Sequence, residues 1–509
     1  MNGVAVGEDA WDGRTGRHDV TASFSPTLLR EGQNSIDVAA LLVPGVPYEI
    51  VAVDWFELSY PRLYRAKNGT LLCSGGSNQV VSVEGFSRGP VFVLDVSDPR
   101  RPVLTTAIVT RSATGGISAS FYPSSSRARY FVAEATSALT PASLRASTKP
   151  SRLLATENRA DWVILTGRAL EAPAARLAER RRTQGLETMI VFVDEVMDAF
   201  NRGVSDPRAI RDFVTYARGT WAKPPRYLVL AGDGTYDYRD VLGKGGNLVP
   251  PLMTATPFDL AASDTAFADS DGDGVPEIAV GRLPVLSAAE LDAVVAKIAA
   301  YEDGSRSATD SRVLLVADLP DSGGDFTGGC EDVAAAVPRA LSLVEKSYRS
   351  QLPAAQVRSR LLSGLASGAG FVNYSGHATP LSLSVSGFLK TSDVGALGNA
   401  GRLPVLTAVT CYISAFQSPS VDSLGELLVL QPEQGAIAVV SSSGLSMDFQ
   451  ARTLSLNFHK RLWDSGVPTI GEAFRRGLAE FVGKGGAAWL ARTYVLIGDP
   501  ATRTRVGRR

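Results

Sequence analysis

The chain has few of the residue types on which much protein chemistry depends. In 509 residues there are three histidines and three cysteines. The cysteines, Cys73, Cys330 and Cys411, are too few for a disulfide framework, and their spacing matches no zinc pattern. At least one thiol is therefore free. An excess of charge is also missing: 51 Lys and Arg stand against 52 Asp and Glu, a net charge of −1. That balance gives no electrostatic reason to expect nucleic acid or an anionic membrane as partner. No apolar run reaches the roughly 18–20 residues that span a bilayer. The opening residues carry neither a basic n-region nor an apolar h-region, so no signal peptide is visible.

What is present is an ordinary globular composition, 45% hydrophobic and 20% charged, in a chain too long for one hydrophobic core. Residues 1–150 read as all-β. Short alternating runs (Asn34 to Ala39, Tyr48 to Leu58, Gln79 to Val83, Pro90 to Val96) lie between Gly, Pro, Ser and Asn clusters, the pattern of a sandwich. The first strands read as cut short, which predicts a domain truncated at its N-terminus. The stretch from Ser137 to Arg152 reads as a linker.

From Asp161 the period changes. Strands at Asp161–Thr166, Leu186–Val193 and Arg226–Asp233 alternate with helices at Pro173–Gln184, Asp206–Trp221 and Ser287–Glu302. The alternation restarts at Arg312–Asp318 and runs through the terminal strand from Tyr494. Helices are expected near Glu331–Ala340, at Ala354–Ser367 and Ser423–Leu430, and near Gln450–Trp463 and Ile470–Val482. The pattern predicts a parallel sheet with helices on both faces. Two α/β subdomains are expected, 153–305 and 306–509.

One histidine and one cysteine each close an apolar run. Gly-Phe-Val-Asn-Tyr-Ser-Gly ends at His377, and Leu-Pro-Val-Leu-Thr-Ala-Val-Thr ends at Cys411. Each run reads as a buried strand that delivers its last residue to a strand edge, where ligands bind in open α/β sheets. A thiol and an imidazole so placed are the minimal parts for nucleophilic catalysis on a carbonyl carbon. The competing reading of Cys411 is a buried structural thiol. His459 reads as an exposed helix residue. Cys330, in a Gly-rich loop, is the weaker rival nucleophile.

The segments Val372-Asn-Tyr-Ser-Gly-His377 and Thr410-Cys-Tyr-Ile-Ser-Ala-Phe416 resemble the His and Cys motifs of the gingipain-type, caspase-like cysteine peptidases, peptidase family C25. Outside the site, Tyr227–Asp237, Ser263-Asp264 through Ala279-Val-Gly-Arg-Leu-Pro284 and Ile497-Gly-Asp-Pro500 resemble further segments of that family, in the family's order along the chain. The resemblance covers most of residues 150–509. It implies a three-layer αβα sandwich in two tandem subdomains, the second catalytic, after an all-β sandwich domain. It implies a cysteine-type endopeptidase with a His377/Cys411 dyad and an oxyanion hole from the backbone of Ala378 and Cys411. By the same resemblance Asp318 would orient His377, and Asp325 would select a basic side chain in the S1 pocket. Both have the alternative reading of an ordinary loop or capping carboxylate. The substrate would be a protein or peptide, no cofactor would be needed for catalysis, and the site of action would be secreted or cell-surface. The same dyad would also serve a cell-surface transpeptidase, and an inactive scaffold could keep the fold. The family pattern has glycine after the histidine, whereas this chain has Ala378, whose Cβ would be strained at positive φ.

Separately, Asp269, Asp271 and Asp273 alternate in an acidic loop with Gly274 at its bend. The spacing suits a structural calcium, although the twelfth position, where a bidentate acid is expected, is Val280. The alternative is an acidic surface turn.

Overall fold

The structure, a computed structural model, describes every residue except 12–17, 43, 44, 46–52, 54, 114, 142–151, 306, 339–342, 465, 468 and 506–509. It has two compact units, one within residues 1–146 and the other within 147–509.

The first unit is all-β. One antiparallel sheet takes in Thr70–Ser74, Arg129–Glu134, Val91–Asp95 and Val103–Thr105, and a second Val81–Phe86, Ile117–Phe121 and Ile108–Arg111. Alternate residues such as Val81, Val83, Ile117, Ala119 and Phe121 are buried together with Tyr130 and Val132 in one core, the period-2 burial of a strand with one wet face. The run from Asn34 does not form the expected strand. The Asn34 side chain closes a local turn on the Arg30 backbone, and Ile36 and Val38 stay exposed. The run from Tyr48 and the Ser137–Arg152 stretch lie largely outside the described residues.

The second unit is built on one ten-stranded sheet. Its strands in chain order are β1 (Trp162–Thr166), β2 (Thr188–Phe192), β3 (Tyr227–Ala231), β4 (Ala279–Leu283) and β5 (Arg312–Ala317). They continue as β6 (Leu343–Tyr348), β7 (Phe371–Ser375), β8 (Val405–Val409), β9 (Ala438–Ser442) and β10 (Tyr494–Ile497). The spatial order is β6-β5-β7-β8-β9-β10-β4-β3-β1-β2. Most central strands are buried at every position, which is why they read as continuous apolar runs rather than alternating ones. The sheet is not wholly parallel. β10 runs antiparallel to β9 and parallel to β4, and so joins the early strands to the late ones. Just past β10, Asp499 meets the buried Arg181 of the first helix at 2.8 Å, and Glu302 meets the same guanidinium at 2.8 Å.

Helices cover both faces. Glu171–Thr183, Ala288–Asp303, Phe326–Ala336, Asp448–Leu462 and Ile470–Gly483 pack on one side. Arg208–Thr220, Ala354–Ser367 and Leu424–Leu430 pack on the other. Capping fixes several of these helices: Ser287 and Ser423 each complete a capping box, with Glu290 and Glu426.

Candidate active site

β7 and β8 are parallel neighbours whose last registered pair is Ser375 with Val409. His377 and Cys411 each lie two residues beyond that pair, on strands roughly 4.8 Å apart. The sheet therefore brings both to one carboxyl edge at the same level. Gly376 shapes the exit from β7: a Cβ there would stand 2.4 Å from the Tyr374 hydroxyl and 2.5 Å from Cβ of Asp318. Only a glycine lets the chain pass that close.

The His377 ring is half exposed and hydrogen-bonded through Nε2 to Oδ2 of Asp321 at 2.9 Å. Phe326 meets it edge-on at 5.2 Å between ring centres, and the Gly323 backbone lies against its other edge. The Gly323 N–H, and after it the His377 ring, hold the Asp321 carboxyl below the usual carboxylate range. An ionised carboxylate on Nε2 fixes the tautomer, orients the ring and stabilises an imidazolium.

Asp318 is not the residue that reaches the ring. It follows β5 directly and is packed under Gly376, where it accepts from the Leu319 amide and the Tyr374 hydroxyl. The loop turns back three residues later, and that turn carries Asp321 to the ring.

Cys411 is partly buried. Its sulfur accepts the Ser446 N–H at 3.3 Å. Burial pushes the thiol up, and the Ser446 N–H opposes the shift. Among the described residues no hydrogen bond joins the thiol to His377. Ala378 lies in a short strand, Ala378–Thr379, that pairs with Ser382–Leu383, and it is not among the residues at positive φ, so the expected strain does not arise. The Ser384 N–H donates to the His377 carbonyl. The adjoining Ala378–Leu383 pair is therefore the non-hydrogen-bonded kind, whose N–H points away from its partner.

Beside His377 opens a cleft of about 560 Å³ lined by Asp321, Gly324, Asp325, Asp332, Asp448 and Arg452, among others. Arg452 spends its charge on Asp332 at 2.5 Å. Asp325 caps the helix Phe326–Ala336 through the Gly328 amide, and its other oxygen stays 4.0 Å from Arg452. Burial pushes the Asp448 carboxyl up, with Arg452 opposing.

Cys330, Cys73 and His459 differ from the pair at the strand ends in their surroundings. Cys330 is fully buried on a helix, and burial pushes its thiol up to about 12. Cys73, in the β unit, is pushed up to about 11 by burial. His459 is not exposed as expected. It is fully buried, bridges Thr407 and Ser455, packs against Phe371, and is pushed down to about 3 by burial.

The Asp269, Asp271 and Asp273 carboxylates converge, each offering an oxygen within 4.8 Å of the others. Asp269 already faces Arg492 at 2.9 Å and accepts the Gly272 and Gly274 amides. Glu277 is turned to Ser270. Calcium takes 6–8 oxygens, so backbone carbonyls or water would have to complete a shell begun by these three carboxylates.

The mixed α/β sheet with helices on both faces is that of the caspase-like cysteine peptidases. The sequence matches peptidase family C25 over residues 155–505, and the chain belongs to that family. Two solved structures resemble it in fold. One is the complex of the pro- and mature domains of RgpB from Porphyromonas gingivalis, 19% identical, with 69% of this chain and 80% of that chain covered and a TM-score of 0.58. The other is the Arg-specific cysteine proteinase gingipain R (RgpB), 18% identical, with 69% and 79% covered and a TM-score of 0.56. No curated protein matches the chain.

Proposed function

We propose that this protein is a cysteine endopeptidase in which Cys411 is the nucleophile and His377 the acid–base group. The observation that carries the reading is the shared level of the two residues past the Ser375–Val409 pair. A dyad without a hydrogen bond in the substrate-free protein is compatible with catalysis, because catalytic hydrogen bonds often tighten only in the Michaelis complex. The Cys411 thiolate attacks the scissile carbonyl, and His377, held by Asp321, gives its proton to the leaving amine. A positioned acid–base group contributes roughly 10²–10⁴-fold in rate. The Ala378 N–H, turned out of its hairpin, and the Cys411 N–H receive the oxyanion; one such donor is worth roughly 10²–10³-fold. Water then hydrolyses the acyl-enzyme.

The cleft beside His377 carries four carboxylates against one guanidinium. That excess favours a Lys or Arg side chain of the substrate, with Asp325 and Asp448 as its partners because Arg452 already neutralises Asp332. Among the described residues no helix is long and apolar enough to cross a membrane, and action outside the cytoplasm belongs to the same proposal. The test is hydrolysis of a mixed peptide library by wild type and Cys411→Ala. Loss of cleavage in the variant supports the dyad, and undiminished cleavage ends it.

A further inference from the structure

The residue after Cys411 is in an unusual conformation. Tyr412 has φ +61°, the left-handed region that bulky side chains avoid. Two anchors hold it there. Its N–H donates to the Gly444 carbonyl at 3.0 Å, and its hydroxyl donates to Oδ2 of Asp259 at 2.8 Å. Asp259 sits at the tip of a hairpin formed by Met253–Ala255 and Leu260–Ala262. Its other oxygen accepts the Thr256 hydroxyl at 2.9 Å, so the carboxylate is fixed before Tyr412 arrives.

The hairpin precedes β4 and belongs to the half of the sheet that holds neither Cys411 nor His377. Other contacts from that half reach the same loop. The Arg282 guanidinium, paired with Asp264 at 2.7 Å, lies 4.3 Å from the Phe416 ring centre. The Tyr236 N–H donates to the Gln417 carbonyl. The chain after Tyr412 is pinned independently, because the Ser414 N–H donates to the Ser442 carbonyl. If the φ of Tyr412 relaxed, the aim of Cys411, whose sulfur otherwise meets the Ser446 N–H, would shift.

We propose that Asp259 is a positioning residue for the nucleophile: its hydrogen bond to Tyr412 holds the left-handed turn that aims the Cys411 sulfur at the strand edge beside His377. Asp259 touches neither the thiol nor the imidazole and acts through Tyr412. The proposal rests on Cys411 being the nucleophile, and its test separates the two.

The variants are Tyr412→Phe, Asp259→Ala, Asp259→Asn and the double Tyr412→Phe/Asp259→Ala, with Leu260→Ala, at an exposed position of the same hairpin, as a control. The measurements are kcat and KM on a Lys- or Arg-containing peptide, and the pH dependence of Cys411 alkylation by iodoacetamide. A hydrogen bond to a charged acceptor predicts that Tyr412→Phe and Asp259→Ala each lower kcat roughly ten-fold with KM little changed. The double variant falls no further than either single one, and Asp259→Asn, which keeps an acceptor oxygen, recovers most of the rate. The alkylation profile moves in both single variants and stays at the wild-type position in Leu260→Ala. Unchanged kcat and alkylation in Tyr412→Phe and Asp259→Ala, in a protein whose activity Cys411→Ala abolishes, overturns the positioning role alone. Additive losses in the double variant, or an equal loss in Leu260→Ala, overturn it as well. Activity that survives Cys411→Ala overturns the dyad instead.

Discussion

The buried His459 makes stability depend on pH in a way that can be worked out from its surroundings. The ring is fully buried, bridges Thr407 and Ser455, and is pushed from 6.5 down to about 3 by burial. In the unfolded chain the imidazole takes a proton as the pH falls through about 6.5, while in the folded protein it does not until about 3. The folded pKa is thus the lower one. The contribution is fully present above the unfolded pKa and is lost as the pH falls from there towards the folded value. Between about pH 7 and about pH 4.5 the loss from this one group comes to roughly 2.5 kcal/mol. His459→Gln keeps a polar side chain near Thr407 and Ser455 but cannot titrate. Urea unfolding followed by circular dichroism at both pH values should show wild type losing roughly 2.5 kcal/mol more than the variant. The variant should also be less stable at about pH 7, from imperfect replacement of two buried hydrogen bonds. Equal losses for the two proteins would refute the reasoning, because they would mean the ring already carries its proton inside the fold.

Three further outcomes are expected. Asp321→Asn should lower kcat by roughly 10- to 100-fold with Cys411 still alkylated, since the ring loses the carboxylate that orients it; an unchanged kcat would leave Asp321 as a surface partner only. In a peptide-library profile, Asp325→Ala should weaken the preference for Lys and Arg by about ten-fold, and an unaltered profile would remove Asp325 from substrate selection. Chelation with EDTA, or addition of calcium, should leave Tm within about 1 °C because Arg492 already balances Asp269; a rise of several degrees with calcium would show that the loop binds the ion after all.

Much of the fold was legible because its signals are physical and local. Strands buried on both faces leave unbroken apolar runs, and β3, β7 and β8 lie where those runs predict. The helix Ala354–Ser367 and the Ser423 cap before Leu424–Leu430 also match the periodicity. His377 and Cys411 stood out because strand ends are readable and both residue types are scarce. Asp321 did not, since nothing local separates a loop aspartate that turns back to a ring from one that faces water. Asp318 is singled out by the family resemblance and by its place at a strand end. His459 reads as exposed in the sequence because it has no partner in a motif. Its spacing of four from Ser455 and three from Leu462, all buried, was the signal that could have placed it inside. The hairpin carrying Asp259 has strands of three residues, too short to show a period. The run from Asn34 alternates as a strand should, yet pairing depends on a neighbour that sequence does not reveal.

The position of β10 bears on how the protein comes into being. Of the ten strands it is the last to leave the ribosome, yet it lies between β9 and β4 near the middle of the sheet. The early strands, with the hairpin that reaches Tyr412, cannot be joined to the late ones until Ile497 has been synthesised. Such long-range closure is slow relative to local helix formation. A growing chain therefore holds its thiol and imidazole on an unfinished sheet, and assembly of the edge that carries them is deferred until translation has passed the strand that closes it.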